Sequence, residues 1–292
     1  MELNQLRYFV EIAKTKNFTQ AARNCHVAQP ALSQMIRKME TGLGIKLLRR
    51  LPRGAELTAE GESFLPYAIA VLNSLKDAET AAGDLRGLTR GVVRIMTLPS
   101  ACVYVLPSRI AAFTRDHPRI DIVLEESVSS RIPELVLSGA YDLGVNQALD
   151  PVPKMKRALI HRDELVLAVP LDHPLAARQE VRLEEAAHEK FVVTKKDTEF
   201  RNLAETLCRK AGFEMGEAFE ADHFDSIQAY CAVGMGVGLL PRSVILQSLN
   251  PAPRYLRITH PKATRNLWLL WPEAGLKNKA AEALIPYLTA GE

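Results

Sequence analysis

Apolar residues recur at helical spacing through the first fifth of the chain. Leu3, Leu6, Phe9, Val10 and Ala13, with polar residues between them, predict a helix over residues 3–14. Asn17 reads as the N-cap of a second helix that turns Phe18, Ala21 and Ala22 inward. Two adjacent alanines suit a close helix crossing. His26 and Val27 make a short turn, and Pro30 fits the first position of a third helix. That helix buries Leu32, Met35, Ile36 and Met39, shows Gln29, Ser33, Gln34, Arg37 and Lys38 on its polar side, and stops near Gly42 and Gly44. Two short apolar runs, 45–50 and 55–58, flank Pro52-Arg53-Gly54 and predict a β-hairpin with arginines near its tip. Helix, helix, proline-started helix and basic hairpin in that order predict a winged helix-turn-helix.

From Thr58 to about Leu88 the apolar positions Phe64, Ala68, Val71, Leu72, Leu75 and Ala78 continue one long amphipathic helix, interrupted only by Pro66. Thr58 with Gly61-Glu62 suggests a capped start, and Gly83 and Gly87 mark the end. Such a helix needs a partner, either a second copy of itself or its own chain.

Beyond Gly91 the period changes. Strands at 92–96, 120–124 and 143–145 alternate with helices at 100–116 and 129–137, which is the order of a parallel sheet covered by helices. A strand at 164–169 leads to a second set: strand 191–194, helix 200–211, a strand near 217–221, helix 225–233 and strand 236–240. A strand at 266–271 and a helix at 277–288 follow. Two α/β lobes of similar make-up imply a cleft. The run Gly234-Met235-Gly236-Val237-Gly238 follows a helix and enters a strand, the reverse of a dinucleotide-binding loop, so its glycines are expected to make a tight turn.

Charge sharpens this division. Residues 1–57 hold ten Lys/Arg against four acids, a net +6, while the remainder carries 27 against 30, a net −3. A basic head on a mildly acidic body is the footprint of a nucleic-acid-binding module. Hydrophobic content of 47% is ordinary for a globular protein, and the longest apolar stretches, such as residues 233–241, are too short for a bilayer. Glu2 and Glu11 interrupt what a secretory signal would need, so a cytoplasmic protein is expected. Cys25, Cys102, Cys208 and Cys231 form no Cys-x-x-Cys pair and read as free thiols, with a Cys208–Cys231 redox pair as the alternative.

The blocks Leu6-Arg7-Tyr8-Phe9, 17–22 (Asn-Phe-Thr-Gln-Ala-Ala), 27–33 (Val-Ala-Gln-Pro-Ala-Leu-Ser) and 57–61 (Leu-Thr-Ala-Glu-Gly) resemble, in order and spacing, the signatures of LysR-type transcriptional regulators. The run 232–241 matches a further hallmark of that family. Two departures stand out. Ala28 replaces the usual Ser or Thr cap, so that a cap is expected from elsewhere, and Leu48-Arg49-Arg50 replaces Phe-Glu-Arg.

The resemblance implies a multidomain chain: a DNA-binding winged helix-turn-helix at 1–58 and a dimerising linker helix at 59–90. A two-lobed α/β effector domain of the type II periplasmic-binding-protein kind follows at 91–292, its first lobe 91–162 with 266–292 and its second 163–265. The crossings are expected near residues 161–164 and 263–266. The resemblance further implies double-stranded DNA, a second copy of the chain (homodimer or homotetramer), a small-molecule effector and RNA polymerase as partners. It places Thr19, Gln29, Pro30, Ser33, Gln34, Arg37, Lys38, Arg50 and Arg53 at the DNA. For the effector, positions at the carboxyl ends of strands and at helix starts single out Thr97, Ser100, Ser129, Gln147, Thr194, Phe200 and His223. Helix-start N–H groups favour a small anion, though no lining arginine is evident. Ser100 and Ser129 also serve as plain caps, and Phe200 as core. No cofactor, catalytic residue or metal ligand is expected: metalloprotease, nucleophile-elbow and P-loop motifs are missing, and His223 beside Asp222 is the one acid/base alternative. An enzyme or a solute carrier built on the two-lobed domain is the rival reading.

Overall fold

The computed structural model describes residues 1–51, 54–83, 91–147, 151–196, 198–245 and 249–290. In the head, α1 (Leu3–Thr15) buries Leu6, Phe9 and Ile12 on one stripe. Lys16 ends it in the left-handed region at φ 52°. Asn17 then caps α2 (Phe18–Asn24), its Oδ1 accepting the N–H groups of Thr19 at 2.9 Å and Gln20 at 3.1 Å. Ala21 and Ala22 are buried, and α3 (Gln29–Leu43) packs Leu32, Ile36 and Met39 into the same core. No side chain caps α3 in place of Ala28. Pro30 has no N–H to satisfy, and the Ala28 carbonyl accepts the first intrahelical bond from Leu32 at 3.1 Å.

Strands β1 (Leu48–Leu51) and β2 (Gly54–Leu57) pair antiparallel as the wing. The Ala55 N–H donates to the Lys16 carbonyl at 2.8 Å, fixing the wing against the α1–α2 turn.

The long helix α4 spans Ala59–Gly83. Thr58 Oγ1 accepts the Gly61 N–H at 3.0 Å, the capped start that the sequence predicts. Gly61 is needed here for space, since a Cβ would sit 2.0 Å from the Leu47 carbonyl oxygen. Pro66 lies inside the helix. The first half of α4 packs on its own head: Ala68 is buried in that core, Phe64, Leu65 and Leu72 lie against it, and the Phe9 and Phe64 rings are 5.7 Å apart. Tyr67 and Val71 stay 56% and 43% exposed. Further on, Ile69 joins a cluster of the body, and Asn73 Nδ2 donates to the Ala140 carbonyl at 2.9 Å.

The body begins with β3 (Gly91–Thr97), α5 (Pro99–Tyr104), α6 (Leu106–Asp116), β4 (Ile120–Glu126), α7 (Ile132–Leu137) and β5 (Leu143–Asn146). The predicted single helix 100–116 is two, because Pro107 has no N–H to donate to the Val103 carbonyl. The helix predicted from Ser129 starts at Ile132, with Pro133 in its first turn. Strand β3 pairs parallel with both β4 and β5.

Then β6 (Met155–Val169) runs through both lobes, reaching nine residues further back than the predicted strand. It is followed by β7 (Glu180–Arg182), β8 (Lys190–Thr194), α8 (Glu199–Lys210), β9 (Gly216–Ala221), α9 (Phe224–Ala232), β10 (Gly238–Pro241), β11 (Arg254–His260), β12 (Thr264–Pro272) and α10 (Lys279–Thr289). Strands β7 and β11, parallel neighbours, were not expected from the sequence. The main sheet runs β4-β3-β5-β12-β6-β11-β7, with β10 also on β6; β8 and β9 pair apart from it.

The hydrophobic cores divide where the strands cross. One cluster holds Val93 to Ile160 together with Leu267 to Leu288, and another holds Leu165 to Ala263. The crossings are locked side by side: Thr264 pairs with Glu164, and the Leu165 N–H donates to the Ala263 carbonyl at 3.0 Å. The glycine run turns α9 into β10. Gly236 has φ +154° and would place a Cβ 2.5 Å from the Lys190 carbonyl, so the turn packs against β8. Among the described residues no helix is long and apolar enough to cross a membrane.

Candidate functional site: a nucleic-acid face and an interlobe seam

On the head, Pro30, Gln34, Arg37 and Lys38 lie exposed on α3, and Thr19 lies exposed at the start of α2. Ser33 does not share that face. It is only 5% exposed, since it stands beside Leu32 and one turn before Ile36 within the apolar arc. Its hydroxyl accepts from Gln29 Nε2 at 2.9 Å and so fixes the Gln29 carboxamide. Lys38 is already engaged, its Nζ 2.9 Å from the Glu2 carboxylate.

On the wing, the Arg50 guanidinium lies 4.3 Å above the Phe18 ring, a cation–π contact that orients it. Arg49 pairs with Glu56 across the hairpin at 2.6 Å. Arg53 lies outside the described residues.

Sequence reasoning missed the residue that holds this face together. Glu40 is 6% exposed and accepts the Leu47 N–H at 2.9 Å, the Leu48 N–H at 3.2 Å and Lys46 Nζ at 2.8 Å. Burial alone would raise its pKa, but those three donors outweigh it and hold the carboxyl below its ordinary value. Glu40 adjoins Met39 and lies four residues after Ile36, so the helical pattern already turned it toward the core.

In the body, the seam between the lobes centres on a residue that the sequence reading did not single out. Arg265, at the start of β12, is 2% exposed. Its Nη2 donates to Ser100 Oγ at 2.6 Å, and its guanidinium carbon lies 5.9 Å from the Phe200 ring and 5.7 Å from the Phe224 ring. Those rings form a T-shaped pair 4.7 Å apart. The structure therefore brings Ser100 and Phe200 to one buried cation. Arg265 Nε has no hydrogen-bond partner. Burial pulls its pKa down to about 10, with Asp163 acting in the opposite sense. Asp163 is itself buried and accepts from the Ser243 N–H at 3.1 Å and from its hydroxyl.

Gln147 follows β5 and is buried with its Nε2 unpartnered. Thr97 ends β3 on the same edge, fully buried, and donates to the Leu98 carbonyl at 3.2 Å.

The remaining candidates are placed differently. Ser129 starts no helix: its hydroxyl donates to Asn146 Oδ1, and Asn146 Nδ2 returns a bond to the Ser129 carbonyl at 3.0 Å. Thr194 Oγ1 lies 3.1 Å from Thr198 Oγ1, and the Thr194 carbonyl accepts from Arg201 Nη1 at 3.2 Å. His223 is exposed at the N-cap of α9 and makes no capping bond with its side chain. Across the seam, the Tyr104 hydroxyl of α5 donates to Asp225 of α9 while its ring packs on the second lobe's core.

Among the described residues no group of three or more His, Cys, Asp or Glu is placed to hold a metal. Cys208 and Cys231 are free and buried, their thiols pushed up to about 12 chiefly by burial, which keeps them protonated and unreactive at neutral pH.

A two-lobed α/β sensor joined by a long helix to a winged helix-turn-helix head defines a class, the one-component regulators that couple a ligand cleft to DNA. Residues 3–62 match the family described as bacterial regulatory helix-turn-helix protein, lysR family, and residues 86–291 match the LysR substrate binding domain. The chain is 28% identical over 289 residues to the uncharacterized HTH-type transcriptional regulator YybE of Bacillus subtilis (strain 168), covering 99% of this chain and 98% of that protein. It is 30% identical over 277 residues to the transcriptional dual regulator GltC of the same organism, covering 94% and 91%. Its fold is that of the LysR-family regulator CbnR, with a TM-score of 0.78 at 21% identity over all of both chains. CbnR complexed with its target DNA gives 0.76 at 22% identity over 99% of both. The chain belongs to the LysR family: it is a ligand-responsive, DNA-binding transcriptional regulator and not an enzyme.

Proposed function

We propose that the protein acts in the cytoplasm as a homo-oligomer that sets two copies of α3 on one interrupted inverted repeat and changes transcription when a small molecule enters the interlobe seam. Residues 1–58 serve as the head, 59–90 as the dimerising helix and 91–292 as the sensor, whose lobes are 91–162 with 266–292, and 163–265. The observation that carries this reading is the exposed face of Gln34, Arg37 and Lys38 beside a wing whose Arg50 is held on Phe18. Gln34 and Arg37 enter the major groove and read base edges, with Gln29 set by Ser33. Thr19, Pro30, Lys38, Arg50 and Arg53 line the phosphates.

Two large apolar side chains in the first half of α4, Tyr67 and Val71, stay exposed for a partner helix. Pairing there as a dimer, or twice over as a tetramer, presents the paired heads, and RNA polymerase is the downstream partner. Effector binding shifts the population between closed and open lobes.

DNase I footprinting on the DNA upstream of its own gene tests this. Sequence-specific protection of two half-sites about 10 base pairs or a multiple apart is expected. A folded oligomer that protects no sequence at moderate salt would sink the reading.

A further inference from the structure

The long helix α4 is held by two parts of its own chain. At about 100° per residue, its side chains fall on three faces roughly 120° apart. Phe64, Leu65, Ala68 and Leu72 share one face and pack on the head. Ile69 and Asn73 share the next and meet the first lobe. There Ile69 packs on the cluster that holds Ile132, Val136 and Tyr141, and Asn73 Nδ2 donates to the Ala140 carbonyl at 2.9 Å. Tyr67, Val71 and Ser74 hold the third face and stay exposed. Ala70 lies between the second and third.

The first lobe receives α4 on a tight turn, residues 139–142, between α7 and β5. Gly139 has φ +81°, and a Cβ there would lie 3.8 Å from the Ala70 Cβ, so helix and turn approach through small residues. The turn itself is braced. The Arg94 N–H donates to Asp142 Oδ2 at 2.8 Å, the Asp142 N–H to the Arg94 carbonyl at 2.9 Å, and the Tyr141 hydroxyl to Glu125 at 2.6 Å. It therefore moves with its lobe. The two holds on α4 differ in size. The head grips it by four apolar side chains and the Phe9–Phe64 ring contact. The contact with the first lobe rests on Ile69, one partly buried hydrogen bond and the Ala70–Gly139 approach.

We propose that the contact between α4 and the first lobe is a releasable joint: it is seated in the free protein and opens when paired heads engage one operator, α4 travelling with the head. This rests on the reading of the chain as an oligomer that sets two heads on one inverted repeat. On DNA the spacing of the heads is imposed by the helical repeat of the duplex, and off DNA by the lobes on which α4 is seated. Any difference between the two falls on the weaker hold, which is the lobe's. Ala70, Asn73 and Gly139 are thus positioning residues for DNA reading.

Ala70→Cys combined with Gly139→Cys tests the joint, because a Cβ separation of 3.8 Å suits a disulfide. Diamide should cross-link positions 70 and 139 within one chain of the folded full-length protein, identified by peptide mass mapping. The rate should fall at least fivefold on a saturating fragment of the DNA upstream of its own gene, and stay the same with a scrambled fragment. The cross-linked protein should bind the upstream fragment at least tenfold more weakly than the same sample after reduction. Asn73→Ala added to the pair should slow cross-linking of the free protein at least threefold. Absence of the 70–139 link overturns the joint, as does a rate that the upstream DNA leaves unchanged, or equal binding before and after reduction. If the cysteine pair does not fold, Asn73→Ala and Ile69→Ala take its place. Each loosens the seat and should tighten binding to the upstream fragment at least twofold without changing binding to scrambled DNA; unchanged or weaker binding overturns the joint. Footprinting of the wild type is read separately. Loss of protection there would fall on the regulator reading, whereas intact protection beside DNA-independent cross-linking would fall on the joint alone.

Discussion

The head buries Glu40 and the interlobe seam buries Arg265, and the two regions treat these ionised side chains in opposite ways. Glu40 accepts two backbone N–H groups and a lysine, so its carboxylate closes the end of α3 onto the first wing strand. Arg265 makes one hydrogen bond and carries a donor with none. Burial is similar in the two, at 6% and 2% exposure. What separates the two is therefore the number of bonds left unmade, and not depth. The head reads DNA as a rigid body and has nothing to gain from an unsatisfied group. A sensor must change state, and an unsatisfied donor in its seam gives a ligand something that the empty protein lacks.

The largest effect that tests this contrast is expected at Glu40. Replacing it with alanine leaves the Leu47 and Leu48 N–H groups buried without acceptors, which costs about 2–4 kcal/mol at the usual penalty per orphaned group. Both tryptophans, Trp268 and Trp271, lie in the body, so their fluorescence does not report on the head. In a urea titration of Glu40→Ala, the far-UV circular dichroism should begin to fall before the tryptophan signal moves. Coincident curves at wild-type midpoints would show that Glu40 holds nothing.

Acid should reproduce that effect in the wild type. The Glu40 carboxyl has its folded pKa below its unfolded one, so its contribution is fully present above the unfolded value of about 4.3 and disappears as pH falls through the folded value. The stability gap between wild type and Glu40→Gln is expected to be constant from pH 8 to 5 and to shrink below about pH 4. A gap that widens on acidification would reverse the sign of the assignment.

Next in size are the residues that face DNA, where sequence choice and plain affinity should come apart. Gln34→Ala is expected to cost about 1–2 kcal/mol at one base pair of the operator and nothing on scrambled DNA. Arg50→Ala should weaken binding to both and lower the salt slope of log K by about 0.9, the share of one phosphate. Phe18→Leu should resemble a weaker Arg50→Ala, because it removes the ring that aims the guanidinium. Fluorescence anisotropy at three salt concentrations separates these outcomes. Equal loss on both DNAs for Gln34→Ala would move it from base reading to phosphate contact.

The elements of the head were legible because each carries a local signal: Asn17 as a cap, Pro30 at a helix start and glycine at the hairpin turn. The same logic failed at Ser33, where residue type suggested the polar side and helical phase decided for the core, and it passed over Glu40, which phase also turns inward. In the body, the helix 100–116 was drawn through Pro107, β7 went unseen because a three-residue strand between two 3₁₀ turns carries little periodicity of its own, and β11 was passed over as well. Arg265 was missed for a different reason. Chain position relative to strand ends led to Ser100 and Phe200, but the partner that unites them comes from β12, which is 165 residues beyond Ser100 in the chain. The alternation of Arg265, Leu267 and Leu269 was present in the sequence and was the signal to use.

The smallest effect concerns how firmly the seam is shut. Tyr104 and Asp225 join the lobes by a side-chain hydrogen bond, and burial with the neighbouring carboxylate raises the phenol above its ordinary pKa, so it remains a donor throughout the neutral range. Partly exposed hydrogen bonds of this kind contribute about 0.5–1.5 kcal/mol, too little to hold the lobes alone and enough to bias their closure several-fold. A double-mutant cycle of Tyr104→Phe and Asp225→Asn, followed by tryptophan fluorescence in urea, should give a coupling in that range. A coupling near zero would leave closure to the aromatic packing of Tyr104 on the second lobe.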